Sequence, residues 1–126
     1  MAILDTSLII DFLRKDEYAF TIVQEKQETC AIAAVTVAEL WLGTLKSVSD
    51  AEKKRTEEFI GNITIIPFDE QCAKIAAQIE YDLTKKGLKI GIEDMQIAAT
   101  AIAQGDVLVT RDADFARIEG LRILKY

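Results

Sequence analysis

The sequence predicts an α/β fold in which helices cover a parallel β-sheet. Short, largely apolar runs such as residues 2–4 and 107–110 predict buried strands, and they alternate with longer segments whose apolar residues recur at the helical period. Half of the 126 residues are hydrophobic and only one is proline, which is typical of a compact globular protein. Because no repeat or linker interrupts the pattern, we expect one domain spanning residues 1–126.

The first half of the chain is predicted to contain three strands and four helices. The strands are residues 2–4, 30–35 and 63–67, and the helices are residues 7–13, 17–27, 36–46 and 50–61. Two of these helices are expected to turn apolar side chains inward: Ala19, Phe20, Ile22 and Val23 in the second, and Val37, Leu40, Trp41, Thr44 and Leu45 in the third. Ser49-Asp50 predicts a cap for the highly charged fourth helix.

The second half of the chain is predicted to contain three further helices and two strands. The helices are residues 69–86, 93–104 and 115–118, and the strands are residues 107–110 and 121–124. Gly87 stops the first of these helices. The second carries Asp94 at the start of its apolar face, where a carboxylate is costly unless another group compensates for its lost hydration.

Composition excludes several kinds of site. The chain has no histidine, so it cannot contain a Ser-His-Asp or Cys-His catalytic group or a His-ligated zinc ion. Cys30 and Cys72 stand singly among apolar residues and are interpreted as reduced core residues. No apolar run is long enough to cross a bilayer and no leader pattern is evident, so a cytoplasmic protein is the expectation, with no membrane association.

The formal charge of −6 argues against a broad basic surface for nucleic acid, although it leaves room for a local basic rim. The candidates for such a rim are Arg14, Lys15, Lys46, Arg111 and Arg117, each of which could equally be an ordinary surface charge. The run Lys53-Lys54-Arg55 is interpreted as an exposed helix face that balances nearby glutamates.

Four acidic residues stand where the predicted strands end or the next helices begin: Asp5, Glu39, Asp94 and Asp112. Each alone can be explained by helix capping or by the helix dipole, and Thr36-Val-Ala-Glu39 matches a capping box. Together they predict a site, because ligands of parallel sheets bind outside the carboxyl ends of the strands. Two carboxylates about 4 Å apart repel by roughly 4 kcal/mol, and a cation would reverse that cost. Oxygen ligands alone favour Mg²⁺, with Mn²⁺ as the alternative.

The order of these segments resembles that of the PIN-domain family. The resemblance rests on Ile3-Leu4-Asp5-Thr6-Ser7, Thr36-Val-Ala-Glu39-Leu40, Glu93-Asp94-Met-Gln-Ile-Ala-Ala and Leu108-Val-Thr-Arg-Asp112-Ala-Asp-Phe115, and the length is similar to that of VapC-type toxins. It implies a three-layer PIN-like fold, a parallel sheet of about five strands in the order 3-2-1-4-5, and Mg²⁺-dependent endoribonuclease activity. The proline that commonly precedes the third acid is absent, and Lys89-Ile-Gly-Ile-Glu93 stands there instead.

The resemblance also implies roles for individual residues. Asp5, Glu39, Asp94 and Asp112 match the family's catalytic acids, with Asp5, Asp94 and Asp112 expected to hold the metal and Glu39 to orient or deprotonate the attacking water. Four further residues are candidates for a supporting role, either through hydrogen bonds or through capping: Thr6, Ser7, Thr110 and Asp114. Glu93 and Asp114 are assigned more to structure than to chemistry.

The implied partners are an RNA substrate, a cognate antitoxin and a second copy of the chain. Apolar residues on the early helices indicate either a core or a groove for such a partner: Phe12, Tyr18, Phe20, Trp41, Leu42 and Leu45. Two other functions stay open, namely a non-catalytic binding module with the same fold and a phosphoryl-transfer domain. A phosphoryl-transfer domain would need further residues around its reactive aspartate. No aspartate lies two residues after Asp5, and the residues around Asp69 do not match those expected around a phospho-accepting aspartate.

Overall fold

A computed structural model describes residues 1–26 and 29–126 of the chain. Its centre is a five-stranded sheet of β1 (Ala2–Leu4), β2 (Cys30–Ala33), β3 (Thr64–Ile66), β4 (Val107–Val109) and β5 (Ile123–Leu124). All neighbouring strands are parallel and their order is β3-β2-β1-β4-β5. In the central strand, Ile3 pairs with Ala31 on one side and with Leu108 on the other. The predicted α/β class, the parallel sheet and the strand order are therefore confirmed.

Six α-helices and one 3₁₀ helix surround the sheet in the described part of the chain. They are α1 (Thr6–Leu13), α2 (Glu17–Lys26), α3 (Ala34–Lys46), α4 (Asp50–Asn62), α5 (Glu70–Lys85), α6 (Ile92–Gln104) and the 3₁₀ helix Ala113–Arg117. Gln27, the predicted last residue of the second helix, lies outside the described residues. Ser49 and Asp69 cap α4 and α5, since their side chains accept hydrogen bonds from the backbone N–H groups of Glu52 and Cys72.

Two cores, one on each face of the sheet, make the fold a three-layer structure. Alternate strand residues point to opposite faces, so Ile3 packs with residues of α5 and α6 while Leu4 packs with residues of α1, α2 and α3. Residues of β1 and of the centre of α6 have almost no exposed surface. No helix among the described residues is both long and apolar enough to span a bilayer.

The structure corrects the prediction at the start of α3. The predicted strand 30–35 ends at Ala33, and the helix begins at Ala34 instead of Thr36. The capping box is wrong, because Ala33 occupies the cap position without a side-chain hydrogen bond, and Thr36 lies inside the first turn with no exposed surface. The hydroxyl of Thr36 instead lies 3.0 Å from the hydroxyl of Thr6 in α1. A tertiary contact therefore replaces the predicted local one.

The inward direction predicted for three large side chains is also wrong. Phe20 is 47% exposed and stacks on Phe12, with ring centroids 5.7 Å apart. Trp41 and Leu45 of α3 are 42% and 70% exposed, while Leu40 and Thr44 on the same helix are buried. Because α3 faces the sheet along a narrow stripe, its apolar residues outnumber the positions that the core can cover.

Candidate active site

The four predicted acidic residues come from four elements at the carboxyl edge of the sheet. Asp5 follows β1 directly, and Asp112 follows the neighbouring strand β4 at a distance of three residues. Asp94 lies in the first turn of α6 and Glu39 in the second turn of α3. Gly105, with φ of 69°, ends α6 in a left-handed conformation that suits glycine and leads the chain into β4. The topology thus directs the acids to one region, as the sequence predicts.

Asp5 is the most deeply buried of the four, with 3% of its surface exposed. The hydroxyl of Thr110 donates to Asp5 Oδ2 at 2.7 Å. Burial raises the pKa of Asp5 and the charge of Asp112 adds to the rise, while hydrogen bonds from Thr110 and from the backbone of Thr6 partly offset it. Burial therefore disfavours the ionised form of Asp5, and the hydrogen bond from Thr110 is the contact that stabilises this form most.

The pKa of Asp94 shows most clearly that this residue lies within the electrostatic influence of the other predicted acids. Burial is the first cause of its shift, and the negative charges of Asp5, Asp112, Glu39 and Glu93 follow; together they raise the pKa of Asp94 to about 6. No lysine or arginine in the described ranges forms an ion pair with Asp94 or with the other three predicted acids. The repulsion among these carboxylates is thus uncompensated within the described chain.

Glu39 is held by a hydroxyl from α1. Thr6 Oγ1 lies 2.8 Å from Glu39 Oε1 and 3.0 Å from Thr36 Oγ1. A hydroxyl has one hydrogen, which Thr6 donates to the stronger carboxylate acceptor, so Thr36 can supply the hydrogen of the second bond. Burial raises the pKa of Glu39, the bond from Thr6 lowers it, and Glu93 and Asp5 raise it further. Thr6 therefore orients a carboxylate that is easily protonated.

Asp112 combines a local structural role with its place beside Asp5. Its Oδ1 accepts from the backbone N–H of Asp114 at 2.9 Å and caps the 3₁₀ helix. Its own backbone N–H donates to Thr110 Oγ1 at 3.1 Å, so one threonine contacts both acids. Asp114 pairs with Arg117 at 3.3 Å in the same helix, which agrees with the capping or pairing role predicted for it.

The predicted supporting hydroxyls differ in their surroundings. Thr6 and Thr110 are buried and contact Glu39 and Asp5, respectively. Ser7 is exposed, and its side chain makes no hydrogen bond within the described chain. The two threonines, but not the serine, thus reach the predicted acids.

Three residues that the sequence analysis did not assign to the site also lie near it. Glu93, assigned there to structure, raises the pKa of both Glu39 and Asp94. Asp11 pairs with Arg111 at 2.9 Å and accepts a long hydrogen bond from Tyr126 at 3.5 Å. Burial raises the pKa of Tyr126 to about 12, with Arg111 opposing the rise and Asp11 and Asp5 adding to it. Only the adjacent pair Glu93-Asp94 gave a signal in the sequence, since Asp11 and Tyr126 are distant from any motif.

The donor set fits a hard divalent cation in its chemistry. It consists of carboxylate and hydroxyl oxygens that carry excess negative charge without a basic partner in the described ranges. The described side chains do not, however, converge into a ready cluster of three or more acidic or thiol ligands. The carboxylates therefore influence one another through their charge, while their oxygens stand apart.

We expect the metal-free protein to lose stability as the pH rises through about 6. The folded-state pKa of Asp94, about 6, lies above its ordinary value of 3.8, so folding favours the protonated carboxyl. The cost is absent below pH 3.8, grows between pH 4 and 6 and is complete above that range. After allowance for solvent screening it amounts to about 1 kcal/mol.

Urea unfolding in EDTA at pH 5 and pH 7.5, for the wild type and for Asp94→Asn, measures this effect. The variant should gain stability relative to the wild type at pH 7.5 and less at pH 5, because it cannot ionise. Asp82→Asn is the matched control, since Asp82 also lies on a helix and accepts a hydrogen bond from Gln78. An equal difference between wild type and Asp94→Asn at both pH values would contradict the shift.

Comparison with known proteins places this arrangement in a family context. Residues 2–121 match the family model of the PIN domain. The chain is 32% identical over 123 residues to ribonuclease VapC2 of Rickettsia felis, covering 94% of this chain and 92% of that protein. It is 35% identical over 94 residues to the tRNA(fMet)-specific endonuclease VapC of Salmonella typhimurium, covering 73% and 71%.

Comparison with solved structures gives the same result as comparison with sequences. The crystal structure of VapBC2 from Rickettsia felis bound to a DNA fragment from its promoter contains a chain that superposes with a TM-score of 0.91 at 26% identity. The match covers 99% of this chain and 98% of that one. Sequence and structure therefore agree over nearly the full length, and the elements that carry the four acids lie within the matched region.

Proposed function

Since this chain belongs to the PIN-domain family, we propose that it is a Mg²⁺-dependent endoribonuclease and the toxin component of a VapBC-type toxin–antitoxin pair. The relatives named as ribonucleases and the neighbour solved as a VapBC complex support the general assignment. The metal dependence and the residue roles rest on the site itself.

The observation that carries the proposal is the shared charge of the acids. Burial and the charges of neighbouring acids, Asp112 among them, raise the pKa of Asp5, Glu39 and Asp94. No basic side chain in the described ranges pairs with any of the four acids. A structural cluster of this kind would be neutralised by arginine or lysine. A cation from solution would instead gain from the same repulsion, which is typical of a metal-dependent hydrolase.

We assign the metal to Asp5, Asp94 and Asp112, with Mg²⁺ as the expected ion and Mn²⁺ as a substitute. When bound, the ion would offset the negative charge that grows on the phosphate during hydrolysis. Thr110 keeps Asp5 available as a ligand by hydrogen bonding to it. The network among Thr6, Thr36 and Glu39 holds one carboxylate oxygen of Glu39 in place.

Glu39 is the proposed group that handles the proton of the attacking water. Its raised pKa brings it closer to the operating pH, which suits a group that must accept a proton and release it again. Attack of water on the phosphodiester breaks the bond to the leaving oxygen. By the family resemblance, the products would carry 5′-phosphate and 3′-hydroxyl ends.

We propose a cognate antitoxin as the protein partner and a homodimer as the assembly of the toxin. The first is supported by the VapBC complex to which the chain is similar. Exposed apolar side chains on α2 and α3, among them Phe20, Trp41 and Leu45, offer contact area for such partners. A cytoplasmic location is part of the same proposal.

Cleavage of end-labelled RNA by the purified chain tests the function. We expect cleavage with Mg²⁺ or Mn²⁺ and none in EDTA, because the carboxylates cannot stabilise a more negative phosphate without a cation. Product ends are identified by their susceptibility to a 5′-phosphate-dependent exonuclease. Binding of RNA without cleavage under any of these metal conditions would favour the non-catalytic module instead.

A further inference from the structure

A cavity of about 220 Å³ adjoins Glu39, one of the four predicted acids. It lies between α1, α3 and α4, and Glu39 is one of its lining residues. Three basic side chains line it as well: Arg14 from the end of α1 and Lys53 and Arg55 from α4. A site carboxylate and a group of cations thus share one space, which has room for several water molecules or a comparable polar group.

The three cations that line the cavity have no partners among the described residues. Within the described residues, none of Arg14, Lys53 and Arg55 forms an ion pair or a side-chain hydrogen bond. The Nε of Arg55 is shielded from solvent and also lacks a hydrogen-bond acceptor there. A shielded donor without an acceptor is costly, and an anion held in the cavity would supply one.

Of the five candidates for a basic RNA rim, Arg14 lines the cavity, while Arg111 and Arg117 are engaged elsewhere. Arg111 pairs with Asp11 at 2.9 Å and lies over the ring of Tyr126. Arg117 pairs with Asp114 and donates to the backbone oxygen of Lys89. Lys53 and Arg55, interpreted from the sequence as part of an exposed helix face, are instead partly buried and line the cavity. That interpretation is wrong for these two residues.

An RNA chain needs such cations next to the acids. Glu39 and its neighbours repel every phosphate of the substrate, and a metal held by the aspartates acts mainly on the scissile one. The phosphates on either side need counter-charge from the protein. Glu52 also lines the cavity, where it accepts a hydrogen bond from Ser47, and the three cations still outnumber the two carboxylates.

We infer that the cavity bounded by Arg14, Lys53 and Arg55 is a subsite for an RNA phosphate that neighbours the scissile bond. This inference rests on the proposed ribonuclease function, which it extends by naming binding residues for the substrate. The three side chains position the RNA strand beside Glu39 and take no part in the proton transfer.

The first test removes charge without shortening the side chains much. Arg14→Gln/Lys53→Gln should raise the KM for a single-stranded RNA on the order of tenfold and change kcat little. The reason is that the lost contacts bind the substrate equally in the ground state and in the transition state. The slope of log kcat/KM against log salt should fall by about 1.4, or about 0.7 for each lost contact. Lys54→Gln is the matched control, as Lys54 is exposed on the same helix and does not line the cavity. Identical KM and salt slope in the double variant and the control would overturn the inference.

A second test adds charge at a position that tolerates a side chain. Gly43 lines the cavity, and a Cβ at this position would meet no atom within 4 Å. Since a helix interior favours a side chain over glycine, both Gly43→Glu and Gly43→Gln should fold. We expect the glutamate variant to bind RNA on the order of tenfold more weakly than its glutamine counterpart. Equal affinity of the two variants would contradict a phosphate in this cavity.

Metal-free binding separates this inference from the proposed function. Fluorescence anisotropy with labelled single-stranded RNA in EDTA compares the same variants without any cleavage. Loss of affinity in Arg14→Gln/Lys53→Gln supports the subsite even if the wild type never cleaves RNA, in which case only the nuclease assignment fails. A wild type that neither binds nor cleaves RNA overturns both. Unchanged RNA binding with lost binding of a tetra-aspartate peptide would reassign the cavity to an acidic protein segment.

Discussion

Replacing Asp94 by asparagine should lower Mg²⁺-dependent RNA cleavage by at least about 100-fold, the scale expected when a group that stabilises charge in the transition state is lost. The reason lies in the surroundings of Asp94, where burial, followed by the charges of Asp5, Asp112 and other nearby acids, raises its pKa to about 6. A neutral amide cannot offer a cation the same charge, so the metal would bind weakly and the phosphate would lack compensation. Cleavage rates at saturating Mg²⁺, with and without Mn²⁺, measure the loss.

The fold should survive this change, and the metal-free variant should be slightly more stable than the wild type. Asparagine removes a repelled charge from the first turn of α6 and leaves the buried centre of that helix untouched. Circular dichroism and thermal unfolding in EDTA check this expectation, with Asp82→Asn as the control for an aspartate outside the site. Full activity in Asp94→Asn would refute the metal assignment. A loss of activity supports the assignment only if these measurements show that the fold is intact.

The general location of the site was predictable from the sequence for a physical reason. Strands β1 and β4 are nearly all apolar, and each is followed within three residues by an aspartate. Once the strands are parallel neighbours, Asp5 and Asp112 must emerge at the same edge. The strand order itself came from the family resemblance, since the apolar runs alone do not reveal which strands pair.

The error at the start of α3 originates in contacts between distant parts of the chain. Thr36 and Glu39 fit a local capping box, yet Thr6, thirty or more residues away, engages both side chains. A hydrogen bond between α1 and α3 therefore outcompetes a local one. The errors at Phe20, Trp41 and Leu45 have a different cause, because the helical period describes an apolar face without indicating how much of it the core can cover.

The sequence also does not show which basic side chains are neutralised by an acidic partner and which are left to bind an anion. Arg111 follows β4 beside Asp112 and is close to the acids along the chain, but Asp11 of α1 neutralises it. Lys53 and Arg55 belong to a segment rich in both charges, which resembles any solvated helix. Only the packing of α4 beside α1 and α3 shows that these two side chains share a cavity with Glu39.

Replacing Thr110 by valine should impair the site nearly as strongly as loss of an acid. The Thr110 hydroxyl donates to Asp5 Oδ2 at 2.7 Å and accepts from the backbone N–H of Asp112 at 3.1 Å. Valine leaves the buried carboxylate of Asp5 without its main side-chain donor, at a cost of about 2 kcal/mol for a charged group. Because this bond lowers the pKa of Asp5 against the effect of burial, its loss should raise that pKa further.

The pH profile of cleavage distinguishes this role from ordinary core packing. A higher pKa of Asp5 means that the metal-binding, ionised form appears only at higher pH, so the acid limb of the profile should shift upward in Thr110→Val. Thr110→Ser should restore it, because serine keeps the hydroxyl. Thr100→Val is the matched control: Thr100 is also 1% exposed, but it donates to the backbone oxygen of Gln96 and, among the described residues, forms no hydrogen bond with the four acids. If the two valine variants lose stability without any shift in the profile, Thr110 supports the fold alone, and the ionisation of Asp5 does not depend on its hydroxyl.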